Sequence, residues 1–158
     1  MDTEASILER LMRSRNLKDA DEAAAFAEAL EELYETSTPP NPAALFRVFT
    51  DKAVIMPPLV ALDAFIDSYP PFDVVTGLVD ATDSIYNLAR DWGRIFYIGA
   101  LASKDSFEHL RTVYPQLNSG VRQQIDEILE DIYTMNITND TEMEDDLKRK
   151  ITILRSSV

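Results

Sequence analysis

Few side chains in this sequence are of the types that enzymes use as nucleophiles or general bases. His109 is the only histidine among the 158 residues, and the chain contains no cysteine. A histidine works as a general base only beside a nucleophile or an orienting carboxylate, and no pattern in the sequence supplies one. The HExxH, Walker A, GxGxxG and GxSxG patterns do not occur either. We therefore predict no catalytic residue, and we interpret His109 as an ordinary surface or boundary residue.

Carboxylates are abundant, and their oxygens are ligands that Mg²⁺ accepts in proteins. Carboxylates at three- and four-residue spacing share one face of a helix. Two clusters have this spacing: Glu28, Glu31 and Glu32 in the first, and Glu127, Glu130 and Asp131 in the second. In these clusters the chain resembles the all-α nucleotide pyrophosphohydrolases of the MazG type, which hold magnesium and the phosphates of a substrate. The resemblance implies a magnesium-dependent hydrolase, which is the alternative function.

The strongest property of the whole chain is its negative charge. Lys and Arg number 15 and Asp and Glu 28, so the net charge is −13. Seven of the acids lie in residues 19–35 and nine in residues 126–146. Such a charge repels phosphate backbones and anionic lipid, so we expect neither nucleic acid nor a membrane as partner. The negative field attracts cations, and it therefore predicts a basic protein partner.

The elements that position these groups are predicted to be helices. Apolar residues recur at the three- and four-residue steps of an amphipathic helix along most of the chain, and strand signals are nearly absent. The stripe from Val74 to Leu88 predicts one continuous helix, and a last helix is expected from about Asn139. Polar side chains that precede the stripes predict helix N-caps: Asp19, Asn41, Asp73, Asp91, Asp105, and Asn118 or Ser119.

Short connections between the helices predict antiparallel hairpins. Residues 42–69, 73–102 and 105–135 each make a pair of helices. We therefore predict a single all-α domain over residues 1–158, built either as a HEAT-like stack of hairpins or as a compact bundle. The first 20 residues lack the apolar core of a signal peptide, and no apolar run is long enough to span a bilayer. We expect a cytoplasmic protein.

A second resemblance rests on charge and helical rhythm. The segment FDVVTGLVDATDSIYN, followed by IFYIGALASKDSFEHLRTVYPQL, is similar in rhythm to paired helices. In a small, acidic, cysteine-free chain, this pattern resembles the HEAT-like immunity proteins of bacterial polymorphic-toxin and contact-dependent inhibition systems. The resemblance covers roughly residues 20–135. It implies a protein that blocks the active site or substrate channel of a toxin, often that of a basic nuclease.

The leading interpretation is thus a non-enzymatic immunity or other inhibitory protein, without a cofactor or metal, that covers a basic toxin domain. Its candidate contacts lie on two predicted helices beside apolar stripes, where they should face solvent: Asp80, Asp83 and Asn87 on one, and Glu127, Glu130 and Asp131 on the other. A helical adaptor without a toxin is a further alternative. The sequence leaves the oligomeric state open.

Overall fold

The computed structural model describes residues 4–135 and 140–158. The described residues contain helices and no strand, which confirms the all-α prediction. In chain order the α-helices are α1 (Glu4–Ser14), α2 (Ala20–Glu35), α3 (Pro42–Phe46), α4 (Pro57–Ile66), α5 (Pro71–Asp80), α6 (Thr82–Leu88), α7 (Arg90–Ala102), α8 (Lys104–Val113), α9 (Ser119–Thr134) and α10 (Thr141–Arg155), with a 3-10 turn at Tyr114–Gln116 between α8 and α9.

Several helices begin where a local side chain caps them. Asp19, Asn41 and Asn118 each accept a hydrogen bond at 2.9 Å from a backbone N–H in the first turn of the following helix. These bonds satisfy N–H groups that have no partner within the helix, and they confirm three predicted caps. Asp140 caps α10, whereas the predicted start at Asn139 lies outside the described residues.

The helix predicted from Val74 to Leu88 is two helices. Pro71 is the first residue of α5, so Asp73 lies in the first turn and is not the cap. The chain turns at Ala81, between α5 and α6. There the buried hydroxyl of Thr82 donates to the carbonyl of Leu78 at 2.9 Å. A hydroxyl bonded to the carbonyl four residues earlier competes with helical bonding and bends a helix. The hydrophobic period of the sequence alone does not reveal this hydrogen bond.

Two other predicted caps, Asp91 and Asp105, are also wrong. Each lies in the first turn of its helix, where a negatively charged carboxylate interacts favourably with the positive end of the helix dipole. Ser103 caps α8. At the start of α7, the carboxylate of Asp51 accepts the Asp91 N–H at 2.9 Å. The N–H group is therefore satisfied by a residue that is remote in sequence.

The helices pack partly in rows and partly as a bundle. α1 pairs with α2, and α3, α5 and α8 follow one another in a row, as the first helices of stacked hairpins would. The third predicted hairpin is wrong, because α8 packs mainly on α5 and α7, and α9 packs on α6, α7 and α10. The 3-10 turn that contains Pro115 separates α8 from α9.

Buried side chains from every described helix form one hydrophobic cluster, which runs from Ile7 in α1 to Leu154 in α10. Aromatic rings occupy much of its centre, where Phe49 packs edge-on against Trp92 and Phe96 with ring centroids 4.9 and 4.8 Å apart. Such pairs bury large apolar areas in defined geometry. Within the described residues, no helix combines the length and the apolar character that crossing a membrane requires.

Candidate partner-binding surfaces

Two of the helices that carry predicted contact residues are neighbours, because α6, with Asp83 and Asn87, packs against α9. Three polar pairs join α6 and the start of α7 to α9: Asp83 with Gln124, Tyr86 with Glu127, and Arg90 with Asp131. We call these six residues the α6–α9 seam. The two members of each pair are 41 residues apart in sequence. This constant separation means that the two stretches of chain run in the same direction and in register.

Charge in the seam is largely compensated at one end. Arg90 Nε donates to Asp131 Oδ2 at 2.9 Å, and Arg94 Nη1 lies 3.5 Å from the same oxygen. The Arg90 guanidinium also lies 4.5 Å from the centre of the Tyr86 ring. Burial opposes the charged form of Arg90, but the hydrogen bond to Asp131 raises its pKa above the usual value. Asp131 therefore has two cationic partners within the chain.

The structure distributes the predicted contacts differently from the expectation. Asp80 ends α5, so it does not share a helix with Asp83 and Asn87. These three residues are exposed, as expected. On α9, by contrast, Glu127 and Asp131 are only half-exposed. The expectation that all six face solvent is wrong for these two, because α9 lies against α6 and α7 with that edge turned inward.

Glu130 is exposed but paired. Arg155 Nη1 of α10 lies 2.9 Å from Glu130 Oε2, and Arg155 also donates to the Asp126 carbonyl at 2.8 Å. The α9 carboxylates are thus engaged with neighbouring helices. The free charge of this surface comes mainly from the α5–α6 side, where Asp80 and Asp83 are exposed.

His109 joins α8 to α5. Its Nε2 lies 3.1 Å from the Thr76 hydroxyl, and its ring centroid lies 4.0 Å from that of Phe72. Burial lowers the pKa of His109, which favours the neutral imidazole near neutral pH. These contacts fit a boundary residue that packs two helices together.

The two glutamate clusters considered for magnesium lie on helices with different neighbours. α2 packs on α1 and α4, whereas α9 packs on α6, α7 and α10. Glu32 is moreover paired with Arg10. Across residues 4–135 and 140–158, no group of three or more His, Asp or Glu side chains is arranged to hold a metal ion. The six carboxylates therefore do not form one site.

A second candidate surface, which the sequence analysis did not identify, is a cleft of about 400 Å³ between α4, α5 and α7. Buried side chains, among them Phe46, Leu78 and Phe96, form its apolar lining, and Asp63 and Asp67 supply its charge. Among the described residues that line it, no lysine or arginine is present. We call this surface, defined by these five residues and by Ile95 and Gly99 on α7, the Asp63 cleft.

The two aspartates of the cleft are in an unfavourable electrostatic environment. Burial and the nearby charge of Asp67 raise the pKa of Asp63 to about 6, and burial also raises the pKa of Asp67. Both residues stand at the C-terminal end of α4, where the helix dipole disfavours negative charge. No ion pair compensates either of them within the described part of the chain. The cleft is thus a concave, apolar site that carries negative charge.

A signal for this cleft was present in the sequence. The α4 segment PPLVALDAFI is almost wholly apolar, and Asp63 interrupts it, with Asp67 four residues later. A prediction from dense clusters of acids does not include these two, because they are isolated acids in an apolar helix. A charged residue surrounded by apolar ones indicates either a buried pair or a binding site.

The described residues thus define an all-α protein whose candidate sites are carboxylate-bearing surfaces. Comparison with known families is more specific. The model of the family Immunity protein 30 matches residues 13–110, and the chain belongs to this family. It is therefore an immunity protein of a toxin system, and a toxin is its partner. No match was found among curated proteins or among solved structures.

The matched segment divides the candidate residues. It includes the whole lining of the Asp63 cleft, which extends from Phe46 to Ser106, and also Asp80, Asp83 and Asn87. Glu127, Glu130 and Asp131 lie beyond it. The α9 half of the seam is therefore outside the part of the chain that the family model describes.

Proposed function

We propose that this protein neutralises a basic toxin domain by covering its active site, and that it does so in the cytoplasm without catalysis or a cofactor. Membership of the Immunity protein 30 family is the observation that carries the proposal. The charge of −13 supports a basic partner, because complementary fields accelerate association and disfavour wrong partners.

A nuclease is the toxin that this charge fits best. A nuclease must bind a polyanion, so its substrate channel carries positive potential. An acidic protein that covers the channel competes for the same charges as the nucleic acid. Exposed Asp80 and Asp83, next to each other on α5 and α6, are the candidate contacts with the least internal compensation in the seam region.

We further propose that residues 1–158 act as a single domain. The support for this proposal is the continuous hydrophobic cluster, which includes side chains from α1 through α10. A binding protein with one core presents its surfaces at fixed relative positions, so that little conformational entropy is lost when the partner docks.

The test uses the toxin encoded by the neighbouring gene, in a catalytically inactivated form. We expect the wild-type protein to protect cells that express the active toxin and to bind the inactive form with an affinity that falls as salt rises from about 50 to 500 mM. Asp80→Lys combined with Asp83→Lys should weaken binding by about tenfold or more. The matched control is Glu31→Lys combined with Glu35→Lys, which makes the same change of charge on α2.

Absence of protection and of binding by the wild-type protein would contradict the neutralising role. Binding that is indifferent to salt would contradict the electrostatic model while leaving the immunity role intact. Equal losses in the α5–α6 variant and in the α2 control would show that net charge, rather than this surface, controls the affinity.

A further inference from the structure

We propose that the Asp63 cleft receives one lysine or arginine side chain of the toxin, an inference that rests on the proposed function. The cationic group would lie between the carboxylates of Asp63 and Asp67, and the aliphatic stem would lie along the apolar lining. Three independent features of the described residues lead to this occupant.

The first feature is that neither aspartate of the cleft has a cationic partner within the described part of the chain. They stand four residues apart at the end of one helix, and burial, together with the charge of Asp67, raises the pKa of Asp63. In the seam, by contrast, Asp131 has two arginines as partners. A cation entering the cleft would relieve both the mutual repulsion and the unfavourable helix dipole. The chemistry of the missing partner is therefore a positive charge.

The second feature is the apolar lining next to that charge. Phe46, Leu78 and Phe96 are buried, and Ile95 on the rim remains 51% exposed. Lysine and arginine have long aliphatic stems that pack on apolar surface while their charged heads reach polar groups. A small inorganic cation would leave this apolar surface in water. The combination consequently fits a basic side chain better than a bare ion.

The third feature is Gly99, in the middle of α7. A Cβ built at Gly99 meets no atom within 4 Å, whereas one at Gly93 in the same helix would lie 2.8 Å from Ile85 Cγ2. The chain's own packing therefore requires glycine at Gly93 and does not require it at Gly99. A glycine inside a helix is less favourable than alanine. At Gly99 the missing side chain leaves open the space that the toxin side chain would fill.

Isothermal titration calorimetry with the inactivated toxin of the neighbouring gene tests the charge requirement. Asp63→Asn combined with Asp67→Asn should weaken binding by about 30-fold or more, because the cation loses both carboxylates. Glu31→Gln combined with Glu35→Gln is the control, since it removes two exposed carboxylates at the same spacing on α2. We expect the control to bind within about threefold of the wild-type protein.

A second pair of variants tests the space without changing the charge. Gly99→Leu should fill the cleft and weaken binding by about tenfold or more, whereas Gly99→Ala, which adds one methyl group, should weaken it much less. Both variants should keep or raise the melting temperature, since both replace a helical glycine. When the measured melting temperature is unchanged or higher, a loss of binding by Gly99→Leu does not come from unfolding.

The outcomes separate this inference from the proposed function. The first outcome is that the wild-type protein binds the toxin, and that the double aspartate variant and Gly99→Leu both bind with an affinity within threefold of the wild-type value. In that case the cleft inference is wrong and the immunity role stands. If the α2 control loses as much affinity as the aspartate variant, general electrostatics explains the result and the inference is again wrong. If light scattering shows that the wild-type protein is a dimer and that only the cleft variants are monomers, a second copy occupies the cleft and the inference is overturned. If the wild-type protein neither binds nor protects, both proposals fail.

Discussion

The α6–α9 seam and the Asp63 cleft both have aspartates beside apolar side chains, but the two surfaces differ in whether the carboxylate has a cationic partner within the described chain. In the seam, Asp131 accepts from Arg90 and lies near Arg94, and the underlying Ile85 and Ile128 are fully buried. In the cleft, Asp63 has a raised pKa and no compensating cation among residues 4–135 and 140–158, and the neighbouring Ile95 is half-exposed. The seam joins α6 and the start of α7 to α9, whereas the cleft is the surface for which we propose a basic side chain of the toxin as occupant.

The difference shows that acid density does not indicate which carboxylates lack a partner within the chain. The α9 acids form the densest cluster of the predicted site, yet Glu127, Glu130 and Asp131 all interact with groups of their own chain. Natural proteins give up stability at sites where function needs unsatisfied groups. The proposed role of the cleft therefore predicts a lower local stability there than in the seam, and this contrast can be measured.

The largest expected effect compares one residue type in the two regions. Ile128→Ala removes a fully buried side chain below the seam and should lower the free energy of unfolding by about 2–5 kcal/mol. Ile95→Ala acts on a half-exposed side chain at the cleft and should lower it by less than about 1 kcal/mol. Urea denaturation measures the free energy of unfolding of both variants. Equal losses in the two would contradict the proposed difference in packing between the seam and the cleft.

Two glycines of α7 provide the next comparison. Gly93→Ala places a methyl group 2.8 Å from Ile85 Cγ2, and the resulting overpacking should lower the free energy of unfolding by about 1–2 kcal/mol. Gly99→Ala meets no neighbour and should raise it by about 0.5–1 kcal/mol through helix propensity. The sign of the change is the test, and a destabilised Gly99→Ala variant would contradict an open cleft.

Two aspartates should respond to neutralisation with opposite signs. Asp131→Asn removes the carboxylate of Arg90 and one of the two carboxylates near Arg94, which keeps Asp91, and it should lower the free energy of unfolding by about 1 kcal/mol at neutral pH. Asp63→Asn removes an uncompensated charge and should raise the melting temperature at pH 7.5. Thermal denaturation followed by circular dichroism compares the two variants.

The dependence on pH provides the control for Asp63. Its pKa is raised to about 6 in the folded protein, from 3.8, so the folded state binds the proton more tightly than the unfolded state. The penalty from Asp63 is therefore absent below about pH 4, develops between about pH 4 and 6, and is complete above that range. The gain from Asp63→Asn should follow this course and vanish near pH 4, and a gain independent of pH would have another cause.

The smallest effect is expected at the exposed edge of α9. Glu130→Gln breaks the ion pair with Arg155, and since both side chains are at least one-third exposed it should change the free energy of unfolding by less than about 0.5 kcal/mol. High salt should reduce even this change. A loss above about 1 kcal/mol would show that the α9–α10 contact depends on this pair.

Sequence reasoning succeeded where the relevant interactions are local. The caps at Asp19, Asn41 and Asn118 involve residues within a few positions of one another, and all three occur as predicted. It failed at the start of α7, where Asp51 supplies the carboxylate from another part of the chain. It also failed to separate the binding candidates, because the same residue type can be paired or unpaired.

From the sequence alone, the helical class, the acidic charge and the likeness to immunity proteins could be determined, since hydrophobic period, capping residues and composition are properties of neighbouring or summed residues. Only the tertiary structure decided which carboxylates are compensated and which are not. Compensation depends on helices that meet across the fold, as when Arg90 reaches Asp131 from 41 residues away. The same packing leaves Asp63 and Gly99 facing one cleft, because the positions of α4 and α7 follow from the shared core rather than from either segment.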